Sequence, residues 1–165
     1  MTTIVAKPLS AAAFAPFGDV LEIAGDPDKI INQGLCGRYH DRAALDFGAD
    51  GRAGISLFNA QPRALPYTLE LLERHPEGSQ AFVPMHQNPW LVITAEAGEA
   101  PEAPPGMVHA FLAAPGQAIN FHKGTWHGVL TPLHGPGLFA VIDRIGDSAN
   151  LEEHWLAEPL LVTGP

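Results

Sequence analysis

Residues 73–80, with the sequence ERHPEGSQ, decide the fold that the rest of the chain supports. If they end a strand, Glu73 and His75 lie on one face, because alternate side chains of a strand point the same way. The proline and glycine that follow favour a turn, and Gln80 then begins the returning strand. The preceding segment, residues 67–75, has a local propensity for helix, whereas the turn after it favours a strand. We take the strand, and we therefore expect Glu73, His75 and Gln80 to converge inside a barrel.

A second informative run, GQAINFHKGTWH, occupies residues 116–127. Its first half predicts a strand, Lys123 and Gly124 predict a turn, and His127 begins the strand back. The two runs together offer two imidazoles, a carboxylate and an amide oxygen. This donor set suits a borderline divalent ion such as nickel, manganese, iron, cobalt or zinc, and it does not choose among them. Any one of the 8 histidines, taken alone, is better explained by a core or surface role.

The composition favours a folded, strand-rich protein. Of 165 residues, 46% are apolar and 16% are charged, so we expect one folded domain over residues 1–165. The 17 glycines and 16 prolines are scattered among short apolar runs. Short strands separated by such turn signals are typical of a sandwich or barrel. The predicted strands are residues 18–23, 55–59, 82–83, 90–94, 108–112, 118–121 and 138–143.

A few short helices and one loop complete the predicted elements. Ser10 is placed to cap a short helix over residues 11–14. Residues 148–156 predict an amphipathic helix with Trp155 packed inward. Residues 98–106 hold three prolines and two acids, and they predict an exposed loop.

The charge and the cysteine content exclude several classes of partner. A net charge of −9 argues against nucleic-acid binding, because an acidic surface repels phosphate backbones. An anionic small-molecule substrate would need a local cationic patch or a metal. Cys36 is the single cysteine, which precludes an internal disulfide and fits a reducing cytoplasm. The first residues lack the pattern of a secretory signal, and no apolar run approaches the length of about 18 residues that spans a membrane. We therefore expect a cytoplasmic protein with no membrane partner.

The second run resembles the second sequence motif of the cupins. In that motif a glycine, a proline, a second glycine and a histidine follow one another at set intervals. Gly116, Gly124 and His127 stand in register with it, and His122 takes the place of the proline.

The first run resembles a degraded first cupin motif. Glu73 replaces the first histidine, His75 matches the second, and Gln80 takes the place of the glutamate. The order and separation of the two motifs predict a mainly β fold, a cupin-like β-barrel of the jelly-roll type. Losing one histidine and the glutamate lowers metal affinity, so a barrel without metal is an alternative.

Most of the chain also resembles the ureidoglycolate lyase family, formerly called ureidoglycolate hydrolase. The resemblance implies a cupin-like barrel, a homodimer and a divalent metal, with nickel as the expected ion. It also implies cleavage of (S)-ureidoglycolate to glyoxylate and urea in the breakdown of allantoin and purines. The stretches that carry it are residues 9–20 (LSAAAFAPFGDV), 38–41 (RYHD), 73–76 (ERHP), 79–85 (SQAFVPM), 120–123 (NFHK), 126–127 (WH) and 142–144 (IDR).

The reaction that this resemblance implies assigns roles to particular residues. His75, Gln80 and His127 are the expected metal ligands. Glu73 is either a fourth ligand or the general base, and the sequence does not separate these roles; a surface carboxylate paired with Arg74 is the structural alternative. His122 and Lys123 are the other catalytic candidates, since imidazole titrates near neutrality and the lysine lies nearest the metal run.

An acidic protein that binds a carboxylate substrate needs cationic groups at the site. Arginine binds carboxylates best because its guanidinium forms two parallel hydrogen bonds. The candidates for substrate binding are Arg38, His40, Arg74 and Arg144. A surface position is the alternative for each, and Arg144 is also placed for a structural ion pair with Asp143.

Two other classes of function use the same kind of fold. Barrels of this type support oxygenases, isomerases and decarboxylases, because fold does not decide function. A cupin that binds a sugar or small acid without catalysis is the second class. A purely structural barrel with its histidines on the surface is a third reading.

Overall fold

The computed structural model describes residues 1–100 and 103–165. It is mainly β, as predicted, and it has one short α-helix where a few short helices were expected. None of the helical segments in this part of the chain has the length and apolarity that a membrane span requires. The elements are β1 (Thr3–Val5), β2 (Lys7–Pro8), α1 (Ala11–Phe14), β3 (Gly18–Leu21), β4 (Lys29–Ile31), a 3-10 turn (Asn32–Gly34), β5 (Cys36–Arg38), β6 (Arg52–Ala60), β7 (Tyr67–Arg74), β8 (Gln80–Pro84), β9 (Trp90–Ala95), β10 (Val108–Ala113), β11 (Ala118–Phe121), β12 (Trp126–His127), β13 (Thr131–Pro132), β14 (Gly137–Ile145) and β15 (Glu152–Thr163).

The N-terminal segment almost closes the larger sheet into a barrel. That sheet has the strand order β1-β15-β7-β12-β9-β10-β2, with β13 also pairing with β9. Strands β1 and β2 are consecutive in the chain, yet they lie at opposite edges, each parallel to its neighbour. Ala6 lies between them and donates its N–H to the Thr163 carbonyl at 2.9 Å. Residues 3–8 therefore join the two edges of the sheet, which confirms the barrel-like architecture predicted from the two motifs.

A smaller sheet packs against one face of the larger one. Its strand order is β3-β11-β8-β14-β6, and its inner residues meet those of β9 and β10. Trp90 of β9 contacts Phe139 of β14 edge-on, with ring centroids 4.9 Å apart. Because aromatic side chains bury much apolar area, this cluster is the principal core between the sheets. Its buried members are Leu9, Phe14, Phe17, Phe82, Trp90, Val92, Phe111, Ala113, Ile119, Phe121, Phe139 and Val141.

Strand β9 is buried on both faces. Trp90 and Val92 belong to the core between the sheets, while Leu91 and Ile93 belong to a second cluster on the other face of the strand. This explains the continuous apolar run of β9, since a strand buried on both faces does not alternate with polar residues. The second cluster also includes Trp126 of β12, the residue directly before His127.

Two local predictions are confirmed. The hydroxyl oxygen of Ser10 accepts a hydrogen bond from the Ala13 N–H at 3.2 Å and caps α1. Residues 67–74 form strand β7, so the strand reading of the first run is correct. Of the predicted loop at 98–106, residues 101 and 102 lie outside the described residues. The described remainder is loop.

The predicted helix at residues 148–156 is wrong. Residues 152–163 form the long strand β15, and Trp155 is 65% exposed instead of packed inward. The physical reason is long-range pairing, because β15 satisfies the backbone of β7 on one side and of β1 on the other. Backbone groups left without partners at those strands would cost more than the weak local preference for helix supplies.

Barrel closure at Ala6 can be tested by burying a charge there. Ala6 is 1% exposed, whereas its neighbour Val5 is 54% exposed. We expect Ala6→Asp to lower the free energy of unfolding by about 3 kcal/mol or more, because an unpaired carboxylate would enter the second cluster. The control Val5→Asp should cost less than about 1 kcal/mol. Urea denaturation measures both, and equal losses would mean that Ala6 does not hold the two edges together.

Candidate metal centre

Strands β7 and β12 bring three of the predicted site residues together. His127 lies directly opposite Glu73 in the antiparallel pair, and His75 follows two residues later on the same face. One ligand atom from each of Glu73, His75 and His127 lies within 4.8 Å of the other two. The imidazole centroids of His75 and His127 are 5.3 Å apart. The structure thus groups Glu73 and His75 with His127, and the roles of all three stay predictions.

The His127 ring is fixed by two contacts, and one of its nitrogens has no hydrogen-bond partner among the described residues. Its Nδ1 donates to the Gly128 carbonyl at 2.9 Å, and the ring stacks on Phe121 at 4.3 Å with an interplanar angle of 7°. Because a carbonyl only accepts, Nδ1 carries the proton, and Nε2 keeps a lone pair. That Nε2 atom is buried and has no hydrogen-bond partner among the described residues.

The His75 ring has the same arrangement. Its Nδ1 donates to the Asn150 carbonyl at 2.8 Å, and its Nε2 is also buried with no partner in the described part of the chain. Imidazoles that bind metals characteristically donate their second nitrogen to a carbonyl or carboxylate, which fixes the tautomer. In its neutral form, a histidine held in this way presents an unprotonated Nε2, which is the form that a cation requires.

Burial shifts the protonation of two members of the group in opposite directions. It lowers the pKa of His127 to about 3; the Gly128 carbonyl opposes this shift, and the nearby His75 adds to it. It also raises the pKa of Glu73, while His75 lowers that pKa and the charge of Glu153 raises it. Both shifts have the same cause, since low-dielectric surroundings disfavour either charged form. His127 is therefore neutral at physiological pH.

Gln80 faces the same interior space as His127. It pairs with Phe121 across β8 and β11, so the two side chains share a face of the smaller sheet, and Phe121 stacks on His127. The Gln80 Nε2 donates to Asp143 Oδ2 at 3.1 Å. Its Oε1 is buried without a partner among the described residues. The geometry leaves this oxygen available to a cation, and its role as a ligand stays a prediction.

His122 and Lys123 lie on the turn that supports His75. The Gly124 N–H in this turn donates to the His75 backbone carbonyl at 2.9 Å. Both side chains contact carboxylates: His122 Nε2 lies 3.2 Å from Asp19, and Lys123 Nζ lies 2.9 Å from Asp46. Their catalytic roles stay predictions.

Three predicted substrate-binding residues lie in other contacts. Arg74 neighbours Glu73 on β7, so its side chain leaves the opposite face, where it pairs with Glu152 at 2.6 Å and lies over the Trp126 ring. Arg38 is on β5, which pairs with β4, and its guanidinium contacts His40 Nδ1 at 2.7 Å.

Arg144 buries its side chain against the segments that contain Glu77 and Ser148. Its side chain is 7% exposed, donates to the Ser148 hydroxyl at 3.1 Å and lies 3.9 Å from Glu77. Asp143 points to the other face of β14 and accepts from Gln80, so the expected pairing of Asp143 with Arg144 is replaced by these contacts. The arginine lies against three glycines at which a Cβ would overlap it: Gly51, Gly78 and Gly146.

Comparison with known proteins identifies the family. The family model described as ureidoglycolate lyase matches residues 1–163. The chain belongs to the ureidoglycolate lyase family. Its relatives include a ureidoglycolate lyase of Rhodobacter capsulatus, 56% identical over 99% of this chain and 100% of the relative. Another, from Mesorhizobium japonicum, is 48% identical over 93% of each chain, and ureidoglycolate lyase 2 of Rhizobium meliloti is 46% identical over 98% of each.

In this member of the ureidoglycolate lyase family, the donor set fits a divalent cation. One ligand atom from each of Glu73, His75 and His127 lies within 4.8 Å of the other two, and the buried Nε2 atoms of both histidines have no partner among the described residues. Imidazole with carboxylate suits nickel, zinc, cobalt, iron and manganese. A cation there would occupy the lone pairs and offset the cost of burying the Glu73 carboxylate.

Sequence reasoning missed the polar residues around the candidate site. Asn150 holds His75, Asp143 holds Gln80, and Asp19 and Asp46 contact His122 and Lys123. Most of these partners are distant in the chain, so no spacing could have indicated them. Asn150 left one signal, because it ends the run GDSAN at residues 146–150, which is rich in turn-forming residues, and asparagine tolerates a left-handed turn conformation.

The buried neutral His127 predicts how stability depends on pH. Its folded pKa lies below its ordinary value of 6.5, so the unfolded state binds more protons below that pH. The stability of the metal-free protein should therefore fall as pH drops from about 6.5 towards 3, by up to about 1.4 kcal/mol per unit from this residue.

Urea denaturation between pH 7 and pH 5 measures this dependence. His127→Gln should have a shallower pH dependence than the wild type by that amount. The exposed-histidine control His134→Gln should keep the wild-type slope. A His127→Gln slope equal to that of the wild type would show that His127 is not buried in its neutral form.

Proposed function

We propose that this protein is a ureidoglycolate lyase that splits ureidoglycolate into glyoxylate and urea at the Glu73–His75–His127 group. One observation carries the proposal: two imidazoles and a carboxylate converge in a chain that belongs to the ureidoglycolate lyase family over residues 1–163. The relatives named above carry this activity in their names.

The chemistry of the substrate explains what such a site must do. Ureidoglycolate has a carboxylate, a hydroxyl and a ureido nitrogen on one carbon. Loss of the hydroxyl proton forms the carbonyl of glyoxylate as the C–N bond breaks, and the bonding pair leaves with nitrogen. That nitrogen takes up one proton and becomes urea, so one proton leaves the substrate oxygen and one returns to the nitrogen.

We propose that His75 and His127 hold a divalent cation through Nε2, with an oxygen donor from Gln80 and with Glu73 either as a further ligand or as the nearby base. When bound, the cation supplies Lewis acidity at the substrate hydroxyl and carboxylate. Nickel is our proposed ion, following the family resemblance, although imidazole donors suit several neighbouring metals. The hydrogen bonds to the carbonyls of Asn150 and Gly128 keep both rings in the binding tautomer.

Glu73 is the residue we propose for proton transfer. Burial raises the pKa of its carboxyl, so the carboxylate is a stronger base than an exposed glutamate. After accepting the hydroxyl proton, the same carboxyl can return it to the departing urea nitrogen. His122 and Lys123 are proposed as auxiliary catalytic groups, because their turn is bonded to the His75 backbone.

Substrate binding by the arginines is a proposal of lower priority. Arg38 and His40 contact each other near the small β4–β5 sheet. They would bind the substrate only if its carboxylate extends to that sheet. Arg74 and Arg144 would have to leave their carboxylate partners, Glu152 and Glu77, to bind a substrate carboxylate.

The activity is tested by following both products from racemic ureidoglycolate. We expect glyoxylate and urea in equal amounts, with a loss of at least about 100-fold in kcat/KM in His75→Ala and His127→Ala. A chelator should remove the activity and added nickel should restore it. The control His134→Ala, at an exposed position, should stay close to wild type.

Each outcome of that assay decides one part of the proposal. Ammonia and carbon dioxide in place of urea would make the protein an amidohydrolase and contradict the lyase assignment. Turnover that survives complete metal removal would contradict the role of the cation.

Glu73→Gln separates the two roles that this residue could have. As the general base it should leave nickel affinity within about threefold of wild type while turnover falls by at least about 100-fold. As a ligand it should weaken nickel binding as well. Isothermal titration with nickel, run beside the product assay, distinguishes the two.

We also propose that two copies associate through the outer face of the smaller sheet. Strand β6 is an edge strand in the described part of that sheet, and its Ile55 and Leu57 are 74% and 66% exposed. They lie in register with Ile142 and Ala140 of β14, which makes the face continuously apolar. An exposed apolar face beside an open edge is typical of an interface, and a second copy of the chain is the occupant that we propose.

Leu57→Glu tests this dimer. A charge on the apolar face should convert a wild-type dimer into a monomer in analytical ultracentrifugation, because an unpaired buried charge is costly at an interface. Met107→Glu, at an equally exposed residue directly before β10 of the larger sheet, should leave the dimer intact. A wild-type monomer, or a dimeric Leu57→Glu variant, would contradict the proposal.

We propose finally that residues 1–165 act as one cupin-like domain in the cytoplasm, on a small-molecule substrate. The free thiol of Cys36 is compatible with a reducing compartment.

A further inference from the structure

Asn150 has a backbone conformation that side chains usually avoid. Its φ is 47°, in the left-handed region, which asparagine tolerates better than most residues because its short amide bonds locally. It lies in the loop between β14 and β15, directly before the strand that pairs with β7. The left-handed turn brings its carbonyl to within 2.8 Å of His75 Nδ1.

The side chain of Asn150 anchors the same turn from a second point. Its Oδ1 accepts the Glu77 N–H at 2.8 Å. One residue therefore contacts both the imidazole of His75 and the backbone two residues beyond it. On the other side, the His75 carbonyl accepts the Gly124 N–H at 2.9 Å. His75 is thus held at its ring and at its backbone, and Asn150 supplies the only hydrogen bond found for the ring among the described residues.

We propose that Asn150 is a positioning residue that locks His75 in the Nδ1–H tautomer and aims its Nε2 at the cation. The alternative tautomer would place an Nδ1 lone pair 2.8 Å from a carbonyl oxygen, which is repulsive. The tautomer part stands on the hydrogen bonds alone, whereas the effect on cation binding rests on the proposed function. Removing comparable supports of metal-bound histidines costs about 10–100-fold in metal affinity.

Four variants separate the contributions of Asn150. Asn150→Asp keeps an oxygen for the Glu77 N–H and tolerates the left-handed conformation. Asn150→Gly keeps the conformation but loses the side-chain bond. Asn150→Ala loses the bond and disfavours the conformation. Asn32→Ala is the matched control, because Asn32 also has a positive φ, of 52°, but is exposed in the 3-10 turn beside β4.

The first readout is the tautomer of His75 in the metal-free protein, from ¹⁵N NMR of the imidazole nitrogens. His75→Gln identifies the signals of His75 by their loss. We expect the Nδ1–H tautomer in wild type, Asn150→Asp and Asn32→Ala, and a mixture of tautomers in Asn150→Ala. A merely structural role would change stability without changing the tautomer.

The second readout is titration with Ni²⁺ alone. We expect Asn150→Ala to bind 10–100-fold more weakly than wild type, Asn150→Gly to fall between them, and Asn150→Asp and Asn32→Ala to stay within about threefold. If Asn150→Ala does not fold, a mixed tautomer and weakened binding in Asn150→Gly still support the proposal. Wild-type tautomer and affinity in both variants would overturn it.

Failure of the proposed function gives a different result. Wild-type protein that binds no Ni²⁺ would contradict the cation site and with it the metal-positioning role. The tautomer comparison would still decide whether Asn150 locks the His75 ring.

Discussion

The antiparallel pairing of β12 with β7 is the constraint on which the candidate site depends. It places His127 opposite Glu73, and the continuation of β7 adds His75 from the same face. The Nε2 atoms of both rings are then buried without a partner among the described residues. A buried polar atom without a partner costs free energy, of about 1–3 kcal/mol. A cation that accepts both lone pairs would remove this cost. Burial of the two Nε2 atoms therefore favours the cation-bound form of the site over the cation-free form.

The sequence predicts those features of the site that depend on strand alternation and on turn residues. The two-residue period of a strand places Glu73 and His75 on one face, and the turn residues between β7 and β8 return the chain. The turn at Lys123 and Gly124 does the same for His127, since Gly124 has a φ of +79° that suits glycine. The sequence does not predict long-range strand pairing. Nothing near residues 152–163 shows that β7 and β1 pair with this segment, so the local pattern indicates a helix in part of it.

Strand alternation also explains why the cationic residues were hardest to assign. Arg74 and Glu73 are neighbours, so only one of them can face the site, and Arg74 instead covers Trp126 and pairs with Glu152. Arg144 follows Asp143 in the same way and lies among glycines on the far face of β14. The sequence identifies arginines as carboxylate binders, but it does not reveal which face of a strand they occupy when strand register is unknown. Asn150 was missed for the complementary reason, because its contribution comes through a backbone carbonyl.

The central claim is that the Nε2 atoms of His75 and His127 share one cation. Its most direct test is anomalous diffraction at the nickel edge from crystals of the protein grown with Ni²⁺. The account predicts a single strong peak at about 2.0–2.3 Å from both Nε2 atoms, with an oxygen of Glu73 or Gln80 also in its coordination shell. A nickel peak bound elsewhere, with both Nε2 atoms hydrogen-bonded to water, would contradict it.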